Sequence, residues 1–361
     1  MTRSLRRSLP RRGSASLRGS VLAALVGAGL VLTACASGAP AGDAASEAGG
    51  TVVWADYGGS TNESFNAVFF DDFAAATGIE VVSTTIAGAV QYEMFDGGAG
   101  DYDAQMTGLA EVELYKDNLL KLPADVPRAD MLPESVQDYA FGGMMIGYAQ
   151  AYVTDTFPGG GPKNWADFWN VEAFPGMRAV PGEYHDYMFE AALLADGVAP
   201  EDLYPLDFDR ALAKLDELRP YLTFYTEYPQ VQQLLSSGSV ALAFGPNGLF
   251  AGLANEGIDM TVVWDEAFVE ANLFVVASAA PNADNAFALA EFLSDPERQA
   301  AFSERTNYGP GSSAAFEFLD ADVIERLPNA PSHTGIVEAD AAGRAAAYDD
   351  SIAAYTTWLA G

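Results

Sequence analysis

The stretch that most constrains this chain is residues 51–83, which carries a change of hydrophobic period from two to 3.6 and back again. Thr51-Val52-Val53 is a β-branched run leading to Trp54-Ala55-Asp56-Tyr57-Gly58-Gly59, a buried strand that ends in a turn. Ser60 and Glu63 have the spacing of a capping box, in which side-chain oxygens satisfy the first free amides of a helix. Phe65, Val68, Phe69, Phe73 and Ala76 then recur at helical spacing, so one apolar face is expected to pack on a sheet. Gly78 suits the left-handed residue that ends a helix, and Ile79-Glu80-Val81-Val82 reads as the next strand. Strand, helix and strand in this order make a βαβ unit. Open sheets built from such units bind ligands beyond the carboxyl ends of their strands. Trp54, Asp56 and Tyr57 fall at such an end, which puts two aromatic rings beside a carboxylate.

The amino terminus has a different character. Arg3, Arg6, Arg7, Arg11, Arg12 and Arg18 precede an apolar run over 21–34 that is too short to span a bilayer comfortably. A basic region followed by a short apolar run is an export signal, here 1–34, and is set aside from fold reasoning. The run closes on Leu32-Thr33-Ala34-Cys35, which resembles the bacterial lipobox, and Cys35 is the only cysteine of the chain. Acylation of Cys35 is the expectation, an ordinary signal with an incidental cysteine the alternative. Residues 35–50, rich in Gly, Ala and Ser, read as a flexible tether. One cysteine makes no disulfide, so an exported fold must rest on its packed core.

With the signal removed, 12 basic residues face 50 acidic ones, a formal charge of −38. Such a surface offers no basic patch to replace phosphate counterions, which excludes nucleic acid as a partner. A cationic ligand is compatible with the negative field; most of the charge is read as a solvated acidic surface, of a high-salt kind given only four lysines in the chain. The chain has two histidines, His185 and His333, neither in a zinc spacing, and no Gly-x-Ser-x-Gly elbow, so the reading is a binding protein with no cofactor and no metal rather than a secreted hydrolase.

Further on, the glycine-punctuated apolar run 141–152 is the expected crossing between two lobes, and 272–277 the return. Between them Asp207 can cap a helix bearing Phe208, Leu212, Leu215 and Leu218, and Pro229 suits the first turn of another that Gly238 ends. Strands over 239–244 and 258–264 flank a helix over 249–255, and helices follow over 283–293 and 296–305, the latter capped by Asp295. A last helix shows Tyr348, Ile352, Tyr355 and Leu359 on one face. Alternation of this kind implies α/β lobes with largely parallel sheets.

Trp165-Ala166-Asp167-Phe168-Trp169, then Phe174-Pro175-Gly176 before a short strand, resembles the solute-binding proteins of bacterial ABC importers, in particular their spermidine/putrescine branch. Trp54-x-x-Tyr57, Thr77-Gly78-Ile79-x-Val81, Tyr102-Asp103, Leu234-Leu235-x-x-Gly238-x-Val240 and Asn307-Tyr308-Gly309-Pro310 agree with it in order over residues 50–360. The resemblance implies a two-lobed type II periplasmic-binding-protein fold with an inter-lobe ligand cleft. Residues 51–147 plus 272–361 would form lobe 1 and 148–271 lobe 2. It further implies a monomeric, lipid-anchored receptor on the outer face of the cytoplasmic membrane, in the periplasm or cell-wall space, delivering a polyamine to a membrane permease. Ferric iron, thiamine or another polar metabolite is the alternative cargo.

Carried over by residue, Trp54 and Tyr57 match the family's cleft-wall aromatics and Asp56 its acidic third position. Glu183 and Asp186 lie where the family has acids opening a helix. An ammonium group favours ring faces and carboxylates, which gives these assignments a physical basis; acids in a first helical turn also complement the helix dipole without any ligand. Phe244 and Asn247 stand where the family has an indole-bearing turn, and Glu270 and Asn272 where it has an aromatic and a decisive aspartate.

Overall fold

A computed structural model describes residues 49–86, 102–182 and 185–361. Strand β1 (Gly50–Asp56) leads to a helix over Gly59–Phe65 that continues through a π-turn at Asn66–Phe70 into Asp71–Thr77. Gly78 ends it with φ 73°, and β2 (Ile79–Thr85) returns parallel to β1, Gly50 beside Ile79. The βαβ unit stands as expected; the capping box does not form. The helix starts from Gly58 without a side-chain cap, and the Gly58 amide donates instead to Asp56 Oδ1 at 2.7 Å.

The sheet continues with β3 (Ala104–Gly108), β4 (Ala140–Val153), β5 (Arg178–Pro181), β6 (Leu222–Tyr225), β7 (Leu242–Pro246) and β8 (Met260–Val276), and the two-residue strands Gly309–Pro310 and Val337–Glu338 pair with β4 and β8. Their order across the sheet is β2-β1-β3-β8-β4-β7-β5-β6. Three parallel strands, β2-β1-β3, lie at one end and three more, β7-β5-β6, at the other. Antiparallel β4 and β8 run between them and join both, with register shifts between Phe141 and Met144 and between Tyr148 and Gln150. Gly142 and Gly143 supply the first shift, at φ 55° and 79° where a β-carbon is disfavoured. The crossing over 141–152 is therefore β4. The return begins earlier than the sequence suggested, because 258–264 and 272–277 belong to one strand. Glu266 (φ 61°) allows that strand to bend without ending, and Trp165 secures the bend by donating its indole N–H to the Glu266 carbonyl at 2.8 Å.

Asn164, Asp207, Asp295 and Asp340 each accept an amide hydrogen bond at the start of the helices Trp165–Trp169, Phe208–Leu218, Pro296–Thr306 and Ala341–Leu359. One aromatic core gathers Trp54, Phe65, Phe70, Phe274 and Phe302 beneath β1 and β8; another gathers Trp165, Phe168, Phe244 and Phe268 around β7. The last helix buries Tyr355 of the expected face, but its other buried residues are Ser351 and Trp358, and Ile352 is exposed. It is tied down where Tyr355 Oη donates to the Pro181 carbonyl at 2.6 Å and Trp358 Nε1 to Asp216 at 2.8 Å. It also touches the helix Leu109–Tyr115, and so meets elements from both ends of the sheet.

Candidate functional site

The site is built where β5 gives way to the helix Met188–Ala195. β5 starts at Arg178, a fully buried guanidinium that donates to the carbonyls of Phe168 (3.1 Å), Phe174 (2.6 Å) and Gly176. The Phe174-Pro175-Gly176 turn is thus folded around a cation, and burial lowers the Arg178 pKa to about 10. This anchor fixes β5, which ends at Pro181, five residues before Asp186 in the sequence.

Asp186 has φ 43°, a left-handed conformation that is uncommon for a residue with a β-carbon. Its carbonyl accepts from Arg344 Nη2 at 3.2 Å and lies 2.9 Å from His185 Nδ1. The carboxylate oxygen Oδ2 is buried without a hydrogen-bond partner. Burial raises the Asp186 pKa to about 7; Arg344 opposes the rise, while Glu270 and Glu190 add to it. A strained backbone holding an unpaired carboxylate among tyrosines is the kind of arrangement that marks a binding site. Tyr148, Tyr225 and Tyr228 stand close enough to feel this charge.

Around Asp186 lies a polar cluster drawn from four elements. Glu190, on the helix Met188–Ala195, accepts from Arg344 Nη1 at 2.7 Å and from Tyr204 Oη at 2.5 Å. The Arg344 guanidinium stands 3.8 Å from the centre of the Tyr187 ring. Glu270, on β8, accepts from Tyr187 Oη at 2.5 Å and has a raised pKa, chiefly from burial. Glu111, in the helix Leu109–Tyr115, is raised by burial as well, with Glu270 adding to it. Four carboxylates thus face one guanidinium, and among the described residues Arg344 is the basic side chain that acts on them. Beside the cluster, a cavity of about 190 Å³ is bounded by Tyr187, Glu190, Tyr204 and Phe268.

The residues singled out from the sequence divide between this site and the scaffold. Asp186 and Glu270 come together in the cluster. Asn272, two residues along β8 from Glu270, is buried with Oδ1 unpartnered. Asn247 acts as a tie: Oδ1 accepts from the Gly147 amide at 3.0 Å and Nδ2 donates to the Asn307 carbonyl at 2.5 Å, joining β4 to the Asn307-Tyr308-Gly309-Pro310 segment. Phe244 is fully buried, 5.2 Å from the Trp165 ring, and is a core residue instead of a cleft wall. Trp54 is likewise core: it has no exposed surface, lies 5.0–5.4 Å from the rings of Phe65, Phe70 and Phe274, and donates its indole N–H to Asp56 Oδ2 at 2.8 Å. Asp56 also accepts from Gly58 and from Asn62, which leaves it a structural acceptor for the turn. Tyr57 alone of that trio is exposed, at 44%. Glu183 and Cys35 lie outside the described residues.

The sequence reading missed Arg344, Glu190, Tyr187, Tyr148 and Glu111. The one signal available was the scarcity of basic residues, which makes an arginine near the start of the last helix conspicuous. Among the described residues no group of three or more His, Cys, Asp or Glu side chains is placed to hold a metal ion, and no helix is long and apolar enough to cross a membrane.

Parallel strands at both ends of one sheet, joined through two long antiparallel strands with a buried ionic cluster between, define an α/β solute-binding class of protein. Residues 69–332 match the family described as bacterial extracellular solute-binding protein, and the chain belongs to that family. The γ-aminobutyric acid-binding protein of Pseudomonas aeruginosa PAO1 is 32% identical over 288 residues, covering 77% of this chain and 81% of the relative. An ABC transporter substrate-binding protein from Bradyrhizobium japonicum USDA 110 superposes with TM-score 0.76 at 28% identity, covering 86% of this chain and 99% of the other. The binding protein AgtB of Agrobacterium tumefaciens R10, in complex with agropinic acid, gives the same TM-score, identity and coverage. The type II periplasmic-binding-protein fold is therefore present, and the chain is an ABC transporter substrate-binding protein whose relatives are receptors and not enzymes.

Proposed function

We propose that the solute is a compact amine that also carries a carboxylate, of the γ-aminobutyrate kind. The observation that carries this reading is Asp186: a buried, unpartnered carboxylate oxygen next to the one guanidinium of the cluster. An ammonium group would complete Asp186, and Arg344 offers a matching charge for a carboxylate. The Pseudomonas aeruginosa relative, named for γ-aminobutyric acid, supports the same choice. Residues 51–147 with 272–361 would close on 148–271 about β4 and β8, and the closed form would dock on a permease. Acylated Cys35 would hold the receptor at the outer face of the membrane; a Cys35→Ser chain released into the medium is the expected outcome in cells.

The second reading keeps the polyamine cargo. Its support is the excess of carboxylates, buried Glu190 and half-buried Glu111, Asp186 and Glu270, over Arg344, which a diamine would neutralise more fully. Calorimetry with γ-aminobutyrate, putrescine and spermidine separates the two. Saturable binding of γ-aminobutyrate, weakened at least tenfold in Asp186→Asn, is expected. Heat from putrescine alone would select the second reading, and silence from all three would remove amines as cargo.

A further inference from the structure

We infer that Arg344 sets the charge selectivity of the site: its guanidinium, fixed by Glu190, the Tyr187 ring and the Asp186 carbonyl, holds one cationic position so that the solute brings one ammonium group and not two. The inference rests on the amine reading above and goes further, by assigning the discrimination to a residue outside the positions the family resemblance points to.

The geometry has three parts. The guanidinium lies over the Tyr187 ring at 3.8 Å and pairs with Glu190 at 2.7 Å, an aromatic face and a carboxylate arranged as a cage for a cation. The cage is filled by the chain's own side chain. That side chain is delivered by the helix Ala341–Leu359, whose first turn Asp340 caps at 2.9 Å and whose far end is tied down through Tyr355 and Trp358. Its Nη2 reaches the carbonyl of Asp186, so the fixed positive charge sits beside the carboxylate left for a ligand. Like charges brought together in a partly dry site repel strongly, whereas a carboxylate at the same distance is attracted. γ-Aminobutyrate and putrescine have the same four-carbon reach and differ at one end only, where an anion replaces a cation. A fixed guanidinium at that end distinguishes them.

The test compares the affinities of γ-aminobutyrate and putrescine by calorimetry in the full-length protein and four variants. Arg344→Gln is expected to move the ratio at least tenfold towards putrescine, about 1.4 kcal/mol. Glu190→Gln, which removes the carboxylate paired directly with Arg344 and leaves its charge less fully offset, is expected to move it the other way. The double variant, again neutral at the pair, is expected to return close to the parent ratio. A purely structural role would weaken both ligands together and leave the ratio alone, and that result would overturn the inference even with parent binding intact. Arg344→Lys keeps the charge without the planar fork and should retain the parent preference. Putrescine binding gained in Arg344→Gln supports the inference even if the parent protein ignores both ligands; no binding by any of the proteins overturns it together with the amine reading.

Discussion

The ring of Tyr187 lies flat on that of Phe268, 4.6 Å between centroids and 9° from parallel, while its hydroxyl reaches Glu270 two residues further along the same strand. One side chain thus joins the start of the helix Met188–Ala195 to β8 through an apolar face and a polar edge, so that helix and strand cannot shift independently at this point. Tyr187→Phe keeps the stack and removes the donor. Glu270 keeps the Tyr148 hydroxyl as a partner, so the cost is that of one hydrogen bond, about 1 kcal/mol, and urea unfolding with an unchanged m value is expected to show a loss of that size. Tyr187→Ala should cost more, because it removes the stacked face as well.

The pH dependence of stability follows from two neighbours shifted in opposite directions. Asp186 titrates near 7 in the folded chain, chiefly because it is buried, against about 3.9 unfolded. Between those values the folded chain keeps a proton that the unfolded chain has lost, so this group makes stability fall as pH rises. His185 is lowered to about 4, chiefly by burial and then by Arg344, against about 6.5 unfolded. There the unfolded chain holds the extra proton, and stability rises with pH from about 4 to 6.5. Each contributes at most about 1.4 kcal/mol per pH unit, and across the shared window they oppose each other. Glu111 and Glu270, also raised, add to the fall. Asp186→Asn should therefore make urea midpoints climb more from pH 4.5 to 6.5 than in the parent protein, and His185→Asn should make them drop. Parallel profiles for all three proteins would contradict the assigned protonation states.

Much of this architecture was legible because it is written in short range. Phe65, Phe69 and Phe73 as a buried helical face, Gly78 as a left-handed terminator and Asp207 and Asp295 as caps are all local signals, and each holds in the structure, although Ala76 of the expected face is exposed. The candidate site was legible only in part. Asp186 and Glu270 could be placed by their position in the family pattern, yet 50 acidic residues gave no local reason to prefer them. Arg344 is 154 residues from the glutamate it pairs with, and no period or motif encodes such a meeting. Trp54 misled for a related reason: an indole after a strand suits a cleft wall and a core equally well in sequence. The neighbours that decide, Phe65, Phe70 and Phe274, include one 220 residues away.

Arg178 offers a prediction about the segment that first betrayed the family. Its three donations to Phe168, Phe174 and Gly176 satisfy carbonyls of a turn that forms no strand or long helix. Lysine carries the charge but not the planar fork, and cannot reach three divergent acceptors. Arg178→Lys is expected to destabilise by about 3 kcal/mol, since hydrogen bonds to a charged group contribute about 1.5–3 kcal/mol each. Circular dichroism melts should show the loss. A variant as stable as the parent would mean that the turn holds its shape without the cation.

Trp54 and Tyr57, three residues apart, separate packing from exposure. Trp54 fills the space between Phe65, Phe70 and Phe274 and lends its N–H to Asp56, so Trp54→Ala leaves both a cavity and an acceptor short of one donor. A cost of about 3–5 kcal/mol is expected. Tyr57, nearly half exposed, should lose under about 1 kcal/mol on truncation to alanine. The Tyr228 phenol feels both Tyr57 and Asp186, so a solute held by Asp186, as proposed, would lie within reach of the Tyr57 side. Tyr57→Ala should therefore weaken amine binding severalfold while the melting temperature stays within a few degrees of the parent, and Trp54→Phe should lower stability while leaving affinity at saturation unchanged. The reverse pattern, affinity lost through Trp54 with the fold intact, would return the indole to the cleft.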